Sequence, residues 1–146
     1  MKLENITFQH EISVDEYNGL RASVDFIHIT PARAACALEN SLYKVIACDG
    51  GDPVGMARVV GDGGYVYFIC DVIVHPAYQS KGLGRKIIED VLGWLEGQVD
   101  EGETIMVNLM SAMNKEEFYG KLGFHRRPFG NHGSGMSKWI SGAGKE

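Results

Sequence analysis

The stretch from Tyr65 to Glu96 constrains the fold of this chain more than any other part of it. Tyr65 to Val74 is a ten-residue run that is apolar except for Asp71. Its length and β-branched content read as a strand buried on both faces. His75-Pro76 breaks that strand. From Leu83 to Glu96 the residues Leu83, Ile87, Val91 and Leu95 recur at every fourth position, with Ile88 and Leu92 beside them. This is the stripe of an amphipathic helix, and Gly97 ends it. A buried strand, a short glycine-bearing loop and an amphipathic helix in succession place the chain among layered α/β arrangements.

The flanking sequence supplies the remaining elements. Ile6 to His10 alternates and reads as a first strand. Ser13 with Glu16 three residues on forms a capping box, opening a helix that carries Tyr17, Leu20 and Val24 on one face. Thr30 caps a second helix, with Pro31 at its first position and Ala34, Ala35 and Leu38 along it. Leu42 to Cys48 and Val54 to Val60 are strands joined by the Asp49-Gly50-Gly51-Asp52 turn, and Gly61 to Gly64 makes the next turn. Downstream, Thr104 to Met110 is a strand and Lys115 to Leu122 a short helix ended by Gly123. Phe124 to Arg126 and Gly135 to Ile140 read as two further strands. The order is β-α-α-β-β-β-α-β-α-β-β.

Length and charge narrow the class. The 146 residues suffice for one domain, expected to span 1–146 with about 141–146 as a flexible tail. No apolar run reaches the ~18–20 residues of a membrane span, and Met1 to Asn5 lacks the apolar core of a signal peptide, so the expectation is a cytoplasmic protein with no membrane partner. The formal net charge is −5, whereas nucleic-acid binders are more often basic; no nucleic-acid partner is expected. Cys36, Cys48 and Cys70 are odd in number and widely spaced, without zinc-type spacing. They read as small buried hydrophobes, and no metal is expected.

The chemistry is concentrated between Asp71 and Lys86. Here a strand ends, a loop containing Gly82 and Gly84 turns, and a helix begins. Such a loop offers unpaired backbone N–H groups at the positive end of a helix dipole, which is an anion site open to a bulky diphosphate. Lys81, Arg85 and Lys86 add three cations in an acidic protein. A Walker loop fails because no Ser or Thr follows Lys86. A dinucleotide fingerprint fails because Ile87 stands three residues after Gly84.

Gln79-x-x-Gly82-x-Gly84 after a buried strand resembles the GNAT superfamily of acetyl-CoA-dependent N-acetyltransferases. In that family a Q/R-x-x-G-x-G/A loop and the helix behind it bind the coenzyme A pyrophosphate. A second segment, Phe118-Tyr119-Gly120-Lys121-Leu122-Gly123-Phe124, is similar to the family's F-Y-x-K-x-G-F stretch. The two lie about 40 residues apart in the expected order, and the resemblance is clear over residues 40–128. It implies a single-domain α/β (α+β) GNAT fold, with a mixed central sheet of about six to seven strands and helices on both faces. It implies acetyl-CoA as acetyl donor, no metal, and a homodimer as partner state. By the same resemblance Val72, Ile73, Val74, Gln79, Ser80, Lys81, Gly82, Leu83, Gly84, Arg85, Asn114, Phe118 and Tyr119 fall at cofactor-binding positions. The family often has a cofactor-bonding Asn at the place that is Ala112 here, and Asn114 stands two residues later, so that either Asn114 replaces it through a shifted turn or the contact is missing.

Amine acetylation requires that a proton leave an amine of pKa ~10. It also requires that charge on the thioester oxygen meet a fixed N–H donor, worth ~2.7–4 kcal/mol, and that the leaving sulfur receive a proton. The Asp71 to Val74 strand is the candidate for the oxyanion donor. Tyr119 is the candidate general acid, because a phenol of pKa ~10 is protonated at neutral pH. Asp71, one charge in an apolar run, is a candidate base. The alternative for Asp71 is a structural salt bridge, with Arg58 on the preceding strand as the partner. His75 and His125 read as surface or packing residues.

The acceptor is not legible beyond a primary amine. The expectation is a small-molecule amine, mildly favoured as a cation by the acidic balance. The Gly-rich stretch from Arg126 to Met136 is the candidate acceptor or dimer loop. A protein or peptide amine and a non-catalytic acyl-CoA-binding module of the same fold are the alternatives.

Overall fold

Side-chain chemistry sets where the first two helices begin. In the computed structural model, which describes Leu3 and residues 5–142, Ser13 accepts from the Glu16 amide while the Glu16 carboxylate accepts from the Ser13 amide. This capping box opens α1 (Val14–Ser23). Thr30 caps α2 (Pro31–Glu39) through the Arg33 amide, with Pro31 in the first turn where its missing N–H leaves no bond unmade. Around them run β1 (Ile6–Gln9), β2 (Tyr43–Asp49), β3 (Asp52–Gly61), β4 (Val66–Val74), α3 (Leu83–Glu96), β5 (Met106–Leu109) and α4 (Glu116–Gly120).

The chain divides into two compact units, Met1–Met110 and Ser111–Glu146. The first holds a mixed sheet in the order β1-β2-β3-β4-β5. β1 to β4 pair antiparallel in succession and β5 joins β4 in parallel. Helices cover both faces. Tyr17 and Leu20 of α1 and Ala34 and Leu38 of α2 pack with Ile46, Cys48, Met56 and Ile73 on one face. On the other, Ile87 and Leu83 of α3 come so close to Gly55 that a Cβ there would lie 2.9 Å from Ile87 Cδ1 and 3.0 Å from the Ile73 carbonyl oxygen. Tyr43 donates to Asp90 of α3 at 2.6 Å and stacks on Trp94 at 4.9 Å.

One expectation is corrected. The sheet has five strands among the described residues, not six to seven, because Phe124 to Arg126 and Gly135 to Ile140 take no strand conformation. Among the described residues after Met110 the chain closes one isolated bridge, Phe129 with His132. Among the described residues no neighbouring strand there meets the backbone groups of either segment, and a segment without a partner backbone does not make a strand. The expected strand from Tyr65 to Val74 forms as β4, over Val66–Val74, and it carries a bulge. β3 and β4 pair Arg58 with Cys70 but Met56 with Ile73, so Asp71 and Val72 together face Ala57. Asp71 sits at φ +51°. This β-bulge shifts the register by one residue, which exchanges the faces of everything beyond it. Tyr67 and Ile69 face α3 before the bulge, whereas Ile73 faces α1 and α2 after it. The expected tail falls largely outside the described residues, which end at 142.

Candidate active site

β4 outruns its neighbour. β5 pairs only with Val66 to Ile69, so Cys70 to Val74 has no strand partner on that side among the described residues. The His75 amide donates to the Val54 carbonyl of β3 at 2.8 Å. Backbone groups alternate along a strand, so Ile73 points its amide to β3 while Val72 and Val74 point theirs to the open edge. The Val74 carbonyl on that edge accepts from Gln79 Nε2 at 2.9 Å. Two strand amides therefore face an opening beside a buried strand, the arrangement an oxyanion donor needs.

The loop follows directly. Pro76–Tyr78 forms one 3-10 turn, capped by the His75 ring, which accepts from the Ala77 amide at 3.1 Å. Tyr78 donates to the Asp49 carboxylate at the end of β2 and so ties the loop to the sheet. Ser80 at φ +65° and Gly82 at φ +86° then swing the chain into α3. No side chain caps that helix. Among the described residues nothing accepts from the amides of Ser80 through Arg85; the first helical bond at this end runs from Lys86 to Gly82 at 3.3 Å. Such unpaired donors at a helix N-terminus suit a diphosphate. Gly82 is needed for its left-handed backbone, since a Cβ there would meet nothing within 4 Å. Leu83 is buried under the loop and acts through packing. Lys81, Arg85 and Lys86 are exposed, with Arg85 paired to Glu89 at 3.0 Å one turn on.

Asp71 lies at the bulge, its side chain 7% exposed. Its Oδ1 accepts from Arg21 Nη1 at 2.6 Å, and its Oδ2 accepts from Arg58 Nε at 2.7 Å and from the Tyr17 hydroxyl. The Arg58 pairing was legible from sequence, whereas Tyr17 and Arg21 were not read as its partners. They stand four apart on α1 and thus on one helix face, a spacing that marks them as a pair. Cys70 beside them is half-buried, and its thiol is pushed up to about 11 by burial.

The second unit carries the other sequence-identified residues. Asn114, at φ +69°, makes the exposed turn closed by the Lys115 amide on the Ala112 carbonyl at 3.1 Å, a position where Asn is favoured for its own backbone. α4 then carries Phe118, half-buried, and Tyr119, 8% exposed. Phe118 and Phe124 meet the Tyr119 ring edge-on at 5.0 and 6.0 Å. Burial raises the Tyr119 phenol above its ordinary value, so it keeps its proton through the neutral range.

Comparison with known proteins agrees with this geometry. The profile of the Acetyltransferase (GNAT) family matches residues 8–124. An uncharacterized N-acetyltransferase, ycf52, of Pyropia yezoensis is 30% identical over 126 residues, covering 84% of this chain and 70% of its own. Histone acetyltransferase TAP1 of Glycine max is 32% identical over 90% of this chain and 61% of its own. Serotonin N-acetyltransferase 2, chloroplastic, of Oryza sativa subsp. japonica is 31% identical over 80% of this chain and 58% of its own. Among solved structures, a GNAT family acetyltransferase of Streptococcus pneumoniae superimposes with a TM-score of 0.74 at 28% identity, covering 93% of this chain and 96% of that one. A five-stranded mixed sheet with an unpaired β4 edge, an uncapped glycine loop behind it and a family match across most of its length make this chain an N-acetyltransferase enzyme of the GNAT family.

Proposed function

We propose that the protein transfers the acetyl group of acetyl-CoA to a primary amine of a small molecule by direct attack. The observation that carries this is the run of unpartnered amides from Ser80 to Arg85 immediately behind the open β4 edge. Bound acetyl-CoA supplies an activated thioester. The chain supplies the rest. Ser80, Lys81, Gly82, Gly84 and Arg85 hold the diphosphate by main-chain donors, with Gln79 bracing the loop against Val74. The Val72 and Val74 amides face the thioester and stabilise charge on its oxygen. Tyr119, protonated at neutral pH, gives its proton to the departing sulfur, and Phe118 packs its ring.

Asp71 acts here as a charge-paired anchor. Three donors take three of the about four lone-pair sites on its two oxygens, and the carboxylate is 7% exposed, turned to Arg21 and Tyr17 of α1. The amine proton then leaves through water. A pH–rate profile of Asp71→Asn checks this: the acidic limb stays where it is in the wild type if Asp71 anchors, and disappears if Asp71 is the base.

The relatives bear on the acceptor. The rice relative is named for serotonin, a small arylalkylamine, and the soybean relative for histone. The first supports the small-molecule reading, and the second supports a protein amine as the alternative. Free-thiol release from acetyl-CoA, measured against polyamines, arylalkylamines, amino sugars and histone peptides, decides between them. Release with none of these amines would place the acceptor outside these four classes. A homodimer is the proposed partner state, read by light scattering on the purified chain. No helix among the described residues is long and apolar enough to cross a membrane. The cytoplasm is the proposed location; several relatives are named chloroplastic, and fractionation distinguishes the two.

A further inference from the structure

The β4 bulge is held by an ion cluster to which the proposed reaction assigns no proton or bond. Left-handed backbone is disfavoured for a residue with a Cβ, yet Asp71 adopts it. Two guanidiniums from two different elements, Arg21 of α1 and Arg58 of β3, meet its single carboxylate, and the Tyr17 hydroxyl adds a third donor. Each arginine is itself anchored. Arg21 Nη2 donates to the Ile27 carbonyl at 2.7 Å, and Arg58 Nη1 donates to Ser41 Oγ at 3.3 Å and to the Ala37 carbonyl at 3.5 Å. Arg21 also lies 5.6 Å from the Tyr17 ring centre and 5.5 Å from that of Phe26. The cluster thus fastens the bulge to α1, to the end of α2 and to the segment between them.

What the bulge decides is the direction of one amide. Without it, strict alternation from Cys70 would turn the Val72 amide towards β3 and the Ile73 amide to the open edge. With it, Val72 faces the opening. Ile73, fully buried against α1 and α2, fixes the strand beyond the bulge, while the ion cluster fixes the bulge residue. We propose that Tyr17, Arg21 and Arg58 are positioning residues: acting through Asp71, they hold the β4 bulge and so aim the Val72 amide at the thioester carbonyl. This rests on the reading above that the β4 edge receives the thioester.

The test needs no amine. The carbonyl stretch of isotope-labelled acetyl-CoA is measured by difference infrared spectroscopy, free and bound to the full chain. A well-aimed donor lowers that frequency. Tyr17→Phe keeps the ring and removes one donor. Asp71→Asn keeps the shape and the tolerance of left-handed backbone, and removes the charge that both guanidiniums face. The expected result is a lowered band in the wild type and loss of most of that lowering in both variants. Acetyl-CoA affinity should change by less than about threefold, because the Ser80 to Arg85 amides supply it. A merely structural role would lower the melting temperature and leave the bound band where it was. If the wild type shows the lowering and folded Tyr17→Phe keeps it in full, the positioning proposal is overturned and the oxyanion reading stands. If Asp71→Asn does not fold, Tyr17→Phe and Arg58→Lys decide. A wild-type band that does not move on binding overturns the oxyanion reading itself, and the positioning role falls with it.

Discussion

Replacing Gly82 by Ala isolates the contribution of one backbone conformation to coenzyme binding. At φ +86° an L-residue is strained, and a Cβ at this position would meet nothing within 4 Å. Sterics with the surroundings therefore add nothing, and the perturbation is the left-handed penalty alone, ~1–2 kcal/mol. The loop has two ways to respond. If it keeps its shape, the free protein carries the strain and its stability falls by ~1–2 kcal/mol, or about 2–8 °C in melting temperature for a chain of this size. If it relaxes, the free protein is spared, the amides from Ser80 to Arg85 diverge, and acetyl-CoA binds about five- to thirtyfold more weakly. The stability of the bound form falls by the same ~1–2 kcal/mol in either case, because the bound form needs the loop as it stands. Thermal unfolding with and without acetyl-CoA, together with calorimetric titration, measures both parts. Gly82→Asn should recover much of the loss, since Asn tolerates this region. S-acetylpantetheine, which lacks the diphosphate, should bind wild type and variant alike. A bound form of Gly82→Ala as stable as the wild type would refute the claim that this loop grips the diphosphate by its main chain.

Other perturbations test other parts. Tyr119→Phe should reduce turnover by roughly a hundredfold or more if the phenol is the acid, with the acetyl-CoA dissociation constant little changed; wild-type turnover would remove Tyr119 from the reaction. Because burial raises the Tyr119 phenol, the wild-type rate should not decline through deprotonation of this group until the pH passes its ordinary value of ~10. Cys70 carries a thiol pushed up to about 11 by burial, so the stability it confers is complete below the unfolded thiol value of ~8.5 and is lost as pH rises towards 11. The melting temperature should fall over that window, and Cys70→Ala should flatten the fall. Gly55→Ala would set a Cβ 2.9 Å from Ile87 Cδ1 and 3.0 Å from the Ile73 carbonyl oxygen, an overpacking expected to destabilise by ~1–3 kcal/mol in urea unfolding; an unchanged midpoint would mean that α3 can lift from β3 freely.

Much of this protein follows from local chemistry and can be read from the chain. The capping box at Ser13, the Pro31 helix start and the four-residue stripe from Leu83 to Glu96 depend on neighbours within a turn or two, and each forms where its residues place it. The glycine loop is legible for the same reason: Gly82 is the residue that left-handed backbone favours, and the element before it and the element after it are both strongly patterned. The Asp71–Arg58 pairing was legible because a lone charge in an apolar run needs a partner.

Tertiary structure decided what depends on pairing. Whether a segment becomes a strand turns on finding another backbone to bond, and Gly135 to Ile140 finds none among the described residues. The bulge at Asp71 is invisible along β4 alone, because a register shift is a relation between two strands. With it came the direction of the Val72 amide and the gathering of Tyr17 and Arg21, far upstream in the chain, onto one carboxylate. Periodicity tells which face a residue prefers; only the partner strand and the helices packed on it fix which face it receives.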